Sequence, residues 1–266
     1  MLRKIIQTLG TAGRESSQSP SDEIIVFHHV PKTAGMSFHN FIENNLSSGS
    51  ILALYKPDNR EILSNLSDQE KAKVSAIVGH LPFSFFAELR FPKPLAHITI
   101  LREPVSRIVS YYHYIKSSPT HYLHDHITNQ NLSLKEFLAC RPTAELDNLQ
   151  VRYLCNQDCW FLPIGSCTED MLDQAMENLA NSFAVVGLIE QFDLTLSMTA
   201  QTFGWSNLSS PFINETPRSG QHGQVEASDI ADIQSLNQLD LRLYEFAANL
   251  FSERAKALNL CPTGAK

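Results

Sequence analysis

Three times along this chain, a short and continuous run of apolar residues is followed by apolar residues at helical spacing. The runs occupy residues 24–27, 98–101 and 183–188. Each run has the length of a strand that is buried on both faces, and the spacing after it is typical of an amphipathic helix. Strands that alternate with helices predict an α/β domain of three layers, with a mainly parallel central sheet flanked by helices.

The rest of the chain adds elements to this plan. Residues 76–78 predict a further buried strand, residues 171–179 a helix, and residues 233–251 one long terminal helix. Residues 11–23, which precede the first strand, are small and polar and show no apolar period. We therefore predict a flexible N-terminal arm over residues 1–23 and a single domain over residues 24–260.

The charge and the cysteines of the chain limit its partners and its location. Lysine and arginine number 21 and aspartate and glutamate 28, a net charge of −7 that argues against nucleic acid and anionic membranes as partners. Five cysteines, without the paired spacing of zinc ligands, favour free thiols, with a disulfide among Cys155, Cys159 and Cys167 as the alternative. Residues 2–9 are too short and too polar for a signal peptide, so we expect a soluble, cytoplasmic protein.

The loop after the first strand has the features of an anion-binding site. It reads Val-Pro-Lys-Thr-Ala-Gly-Met-Ser over residues 30–37 and leads directly into the first predicted helix. Unpaired backbone N–H groups at a helix start favour an anion, Lys32 supplies a full positive charge, and Thr33 and Ser37 add hydroxyl donors. The Walker A pattern is absent, which argues against an ordinary ATPase.

The second unit places an arginine at the corresponding position. Arg102 follows the second strand, Pro104 suits the first turn of the next helix, and Ser110 lies two turns into that helix. The planar guanidinium of arginine can donate two hydrogen bonds to one phosphate. Ligands of such sheets lie beyond the carboxyl ends of the strands, so Lys32 and Arg102 together predict a ligand with two separated anionic groups.

Four stretches of the chain resemble the family 2 sulfotransferases, which include the heparan sulfate 2-O-sulfotransferases. They are residues 29–37, the Gly79–His80 pair, residues 102–112 and residues 147–152. The resemblance covers about residues 24–255. It implies a P-loop-like fold that binds the sulfuryl donor 3′-phosphoadenosine 5′-phosphosulfate (PAPS).

The resemblance also implies roles for individual residues. His80 would be the catalytic base, and Lys32 would offset the charge on the leaving phosphate. The 5′-phosphosulfate would be bound by Pro31, Lys32, Thr33, Ala34, Gly35, Met36 and Ser37, and the 3′-phosphate by Arg102 and Ser110.

Three more residues are candidates because of their positions in the chain. His28 and His29 end the first strand, close to the predicted sulfate site, and are alternative bases. Arg218 lies in a polar segment that resembles a lid and is a further candidate for the 3′-phosphate.

Two departures from the family pattern bear on the acceptor. This chain has Val78 where the heparan 2-O enzymes have a second histidine, and His29 where they have an arginine. A heparan-like polyanion also requires a long basic cleft, which 21 basic against 28 acidic residues do not favour. We therefore predict sulfuryl transfer, without a metal, to a hydroxyl of a less charged glycan or of a small metabolite. The alternatives are an ATP-dependent small-molecule kinase and a catalytically inactive nucleotide-binding module.

Overall fold

A parallel sheet of five strands forms the centre of the computed structural model, which describes residues 22–56, 59–159, 162–209 and 225–260. The strand order is β2-β3-β1-β4-β5, and every neighbouring pair is parallel. The strands are β1 (Ile24–His28), β2 (Ile51–Leu54), β3 (Ala76–Gly79), β4 (Leu95–Leu101) and β5 (Phe183–Leu188). This sheet confirms the predicted parallel α/β arrangement, to which β2 adds a strand that the apolar runs did not predict.

Eleven α-helices connect and cover the strands within the described residues. They are α1 (Gly35–Glu43), α2 (Asn59–Asn65), α3 (Asp68–Lys73), α4 (Pro104–Ser117), α5 (His124–Asn129), α6 (Leu134–Cys140), α7 (Leu149–Leu154), α8 (Glu169–Asn181), α9 (Phe192–Phe203), α10 (Ala227–Leu236) and α11 (Gln238–Ala257). None of these helices combines the length and the apolar character of a membrane span.

The two faces of the sheet pack against different helices. Ile25 and Phe27 of β1 belong to one apolar cluster together with Phe38 of α1. Ile24 belongs to a second cluster together with Leu63 of α2. Successive residues of a strand point to opposite faces, so this division means that helices cover both sides of β1. The prediction of three layers is therefore confirmed.

The register of the central strands aligns the ends from which three loops emerge. His28, the last residue of β1, pairs with Gly79 at the end of β3. On the other side His28 pairs with Thr99, two residues before the end of β4 at Leu101. The loops that contain Lys32, His80 and Arg102 consequently leave the sheet at one edge.

The prediction of one terminal helix over residues 233–251 is wrong, because α10 ends at Leu236 and α11 begins at Gln238. The interruption is Asn237, which is fully buried. Its Nδ2 donates to the carbonyls of Leu146 and Ile233, both at 2.9 Å. A buried amide must find such partners, and here they replace the continuous helix that the apolar spacing favoured.

The predicted boundaries of the domain stay predictions. The arm proposed for residues 1–23 falls outside the described residues except for its last two positions.

Gly79 is expected to tolerate no side chain, because a Cβ at this position would overlap the carbonyl oxygen of its β2 partner Leu54. Replacing Gly79 with alanine must displace β2 from β3, and we expect the free energy of unfolding to fall by about 2 kcal/mol. Urea denaturation measures this change. Gly49→Ala is the matched control, since no heavy atom lies within 4 Å of the added Cβ there. Equal stabilities of the two variants would contradict the prediction.

Candidate active site

The loop between β1 and α1 has a backbone suited to an anion. Lys32 and Ala34 both adopt left-handed conformations, with φ of 72° and 61°. The Thr33 hydroxyl donates to the carbonyl of Val30 at 2.8 Å, and Ala34 is the N-cap of α1. Alternation of left-handed and other residues turns backbone N–H groups towards one side, next to the positive end of the helix dipole. Non-glycine residues in this conformation are uncommon, and the sequence pattern did not predict them.

The floor of this loop is the ring of His29. A Cβ on Gly35 would overlap that ring, so only glycine allows the start of α1 to approach it. His29 is 6% exposed and stacks on Phe27 with ring centroids 5.7 Å apart. Of the remaining loop residues, Ser37 is buried and Met36 is 39% exposed. Packing under the loop therefore holds its backbone in place.

Lys32 and Arg102 lie side by side. The Nη1 group of Arg102 donates to the carbonyl oxygen of Lys32 at 3.2 Å. The Nζ of Lys32 lies 4.0 Å from the ring centroid of Tyr114 in α4. Burial, and secondly the charge of Arg102, lower the pKa of the Lys32 ammonium to about 8. Two partly desolvated cations that repel each other favour an anionic ligand, which would relieve the repulsion.

Of the three residues predicted to bind the 3′-phosphate, the structure describes two. Arg102 lies in the loop between β4 and α4, and Ser110 is buried in α4. Arg218 lies outside the described residues. Their assignment to a 3′-phosphate stays a prediction.

His80 follows β3 directly and has one ring nitrogen fixed by a hydrogen bond. Its Nδ1 lies 2.8 Å from the carbonyl oxygen of His29. A carbonyl only accepts, so Nδ1 carries the hydrogen and Nε2 holds the lone pair of the neutral ring. Burial lowers the pKa of His80 below its ordinary value, although the hydrogen bond to His29 opposes this effect. The side chain thus has the tautomer and the protonation state of a general base at neutral pH.

His28 is excluded as the alternative base by its own hydrogen bonds. Its Nδ1 lies 2.6 Å from the carbonyl oxygen of Leu81, and its Nε2 lies 2.8 Å from Nδ1 of His97. The ring is fully buried, so both nitrogens are engaged away from solvent. His29 keeps a buried Nδ1 without a hydrogen-bond partner among the described residues, directly beside the His80 ring at a centroid distance of 4.5 Å.

Two aromatic residues at the site were not assigned to it from the sequence. Tyr55 follows β2 and contacts the rings of His80 and His29, with centroid distances of 5.1 and 5.6 Å. Tyr114 contacts Lys32. A signal for Tyr114 was present, because it lies four residues after Ser110 and therefore on the same face of α4. Tyr55 offered none, since the short edge strand before it was not predicted.

Metal ligands do not form a cluster in this part of the protein. Within the described ranges, no group of three or more histidine, cysteine, aspartate or glutamate residues is arranged to hold a metal ion.

Known proteins with similar sequences are sulfotransferases. A sequence model of the sulfotransferase family matches residues 18–247. Human heparan-sulfate 6-O-sulfotransferase 1 is 27% identical over an alignment 276 positions long, which covers 88% of this chain and 66% of that protein. Heparan sulfate 2-O-sulfotransferase 1 of Pongo abelii is 26% identical over an alignment 194 positions long, which covers 65% of this chain and 52% of that protein.

A solved structure is also similar. Mouse sulfotransferase SULT7A1, complexed with PAP, is 17% identical and aligns with 90% of this chain and 70% of its own, at a TM-score of 0.36. The chain spans just under two thirds of the length of the human 6-O relative and about half of the 2-O relative. Because the family match extends over most of the sequence, the chain belongs to the sulfotransferase family.

Proposed function

We propose that this protein is a PAPS-dependent O-sulfotransferase that acts on a hydroxyl of a glycan or of a small hydroxylated metabolite. The observation that carries the proposal is the meeting of Lys32 and Arg102, 3.2 Å from Nη1 to the Lys32 carbonyl oxygen, beside a left-handed loop at a helix start. PAPS carries a phosphosulfate on the 5′ oxygen of its ribose and a phosphate on the 3′ oxygen, which matches two cationic positions. Its binding residues would be the loop over residues 31–37 for the phosphosulfate, and Arg102 with Ser110 for the 3′-phosphate.

Lys32 and His80 would act on opposite sides of the transferred sulfuryl group, Lys32 at the leaving phosphate and His80 at the acceptor hydroxyl. Bound PAPS supplies a sulfuryl group whose leaving group is a phosphate. The Lys32 ammonium would stabilise the negative charge that grows on this phosphate, a contribution typically of about 3–4 kcal/mol. Nε2 of His80 would accept the proton of the acceptor hydroxyl, because Nδ1 is already held by the carbonyl of His29.

The acceptor that we favour is less charged than heparan sulfate, although two of the relatives are named for that polymer. The chain has a net charge of −7, and a dense polyanion would be repelled by it over a long cleft. A neutral or lightly charged sugar needs only positioning and a base at its hydroxyl. The cytoplasmic location expected from the sequence stays a prediction.

Donor binding is tested by thermal shift. At a hundredfold excess over its dissociation constant, 3′,5′-ADP should stabilise the protein by about 2.7 kcal/mol, whereas ATP with Mg²⁺ should shift Tm far less. Lys32→Ala should lose most of the 3′,5′-ADP shift. Lys135→Ala, an exposed residue of α6, is the matched control. A larger shift with ATP and Mg²⁺ would favour the kinase, and no shift with either nucleotide would contradict donor binding.

The role of His80 is tested through the pH dependence of transfer from radiolabelled PAPS to a panel of glycans and hydroxylated metabolites. Protonation of Nε2 removes the base, so kcat/KM should fall on the acid side with a midpoint below pH 6.5, because burial lowers the pKa of His80. His80→Gln should reduce kcat by about 10²-fold or more and abolish this limb. His126→Gln in α5 is the control. Parent-like transfer by His80→Gln would contradict the role of His80, and background transfer by the parent, His80→Gln and Lys32→Ala alike would favour the inactive binding module.

A further inference from the structure

Gln150, in the first turn of α7, holds the backbone of Arg102 from both sides. The backbone N–H of Arg102 donates to Oε1 of Gln150 at 3.0 Å, and Nε2 of Gln150 donates to the backbone carbonyl of Arg102 at 3.0 Å. Gln150 is fully buried, so its side-chain amide depends on these two hydrogen bonds for its partners. The side-chain amide thus pairs with the backbone of Arg102 as a peptide group of a neighbouring strand would, one residue beyond the end of β4.

Gln150 is itself held by a buried carboxylate. Its backbone N–H donates to Oδ2 of Asp240 at 3.1 Å, and the N–H of Val151 donates to Oδ1 at 2.8 Å. Asp240 is fully buried in the first turn of α11. In return, Oδ1 of Asn148 accepts the backbone N–H groups of Leu239 and Asp240 at 2.9 and 3.0 Å. The starts of α7 and α11 are therefore locked together, which leaves Gln150 little freedom to move.

The residue after Arg102 is fixed in a similar way. The backbone N–H of Glu103 donates to Oε1 of Glu190 at 2.9 Å, and the carboxylate of Glu103 accepts the N–H groups of Val105 and Ser106 at 3.0 and 2.7 Å. Arg102 is thus held at its backbone by Gln150, and at its tip by the carbonyl of Lys32. An arginine side chain loses considerable rotamer entropy when it is ordered. Because these contacts already restrain the backbone and the tip of Arg102, less entropy remains to be lost when a ligand binds.

We propose that Gln150 is a positioning residue for Arg102, setting the guanidinium in the orientation that receives the second anionic group of the donor. This proposal rests on the proposed function, because the second anionic group is the 3′-phosphate of PAPS. Gln150 does not touch the donor. It acts through the peptide of Arg102, so its effect is confined to ligands that engage that guanidinium.

The test compares two nucleotides that differ only in the 3′-phosphate. Isothermal titration calorimetry measures the affinities of 3′,5′-ADP and 5′-AMP for the parent and for Gln150→Leu. We expect the variant to bind 3′,5′-ADP about tenfold more weakly, and 5′-AMP with less than a twofold change. In an Arg102→Ala background, Gln150→Leu should cause no further loss of affinity for 3′,5′-ADP. Gln234→Leu, an exposed glutamine of α10, is the matched control.

Other outcomes overturn the proposal. Equal weakening of both nucleotides would make Gln150 a general structural residue, and an undiminished loss in the Arg102→Ala background would show that it does not act through Arg102. If Gln150→Leu does not fold, Gln150→Met, which keeps the length of the side chain and removes both hydrogen bonds without adding a charge, gives the same comparison. If the parent binds 3′,5′-ADP and the Gln150 variant binds it equally well, this inference alone is overturned. If the parent binds neither nucleotide, the proposed function is overturned and this inference with it.

Discussion

The crowding of two cations at one edge of the sheet is the constraint on which the rest of the site depends. Burial and the neighbouring Arg102 lower the pKa of the Lys32 ammonium to about 8, so at neutral pH it is still charged but held at an energetic cost. Charged groups whose pKa values are shifted by burial and by neighbouring charges are concentrated at functional sites. The fold supplies the necessary support through the left-handed loop, the ring of His29 below it and the hydrogen bonds that fix Arg102.

The parallel register explains why these groups meet at all. Lys32, His80 and Arg102 are far apart in the sequence, yet each follows a strand directly or within a few residues, and the three strands are adjacent. Parallel strands direct all their carboxyl ends to one edge. The topology therefore brings together two cations and a histidine that is a candidate base. Individual contacts, such as that between His80 and the carbonyl of His29, set only their fine orientation.

The elements with strong apolar periods could be predicted from the sequence, and those defined by single polar contacts could not. The runs at 24–27, 98–101 and 183–188 form β1, β4 and β5, because a continuous apolar run followed by a helical period leaves few alternatives. The interruption at Asn237 depends on its hydrogen bonds to the carbonyls of Leu146 and Ile233. Leu146 is distant in the sequence, so no local pattern could predict this contact.

The candidate site shows the same division. Lys32, His80 and Arg102 were selected from motif positions, and the structure brings all three to one edge of the sheet. The engagement of both nitrogens of His28 was not predictable, because His97 and Leu81 approach it only in the folded chain. Tyr114 could be predicted, because its helical spacing from Ser110 places both residues on one face of α4.

The ring of Tyr114 under the Lys32 ammonium affects how an anion enters the loop. An aromatic face attracts a cation by about 0.5–2 kcal/mol but carries no net charge. The contact restrains the long side chain without neutralising it, unlike a resident carboxylate. An arriving phosphosulfate would consequently displace a weak quadrupolar partner instead of a competing counter-ion, and would encounter the full attraction of the ammonium.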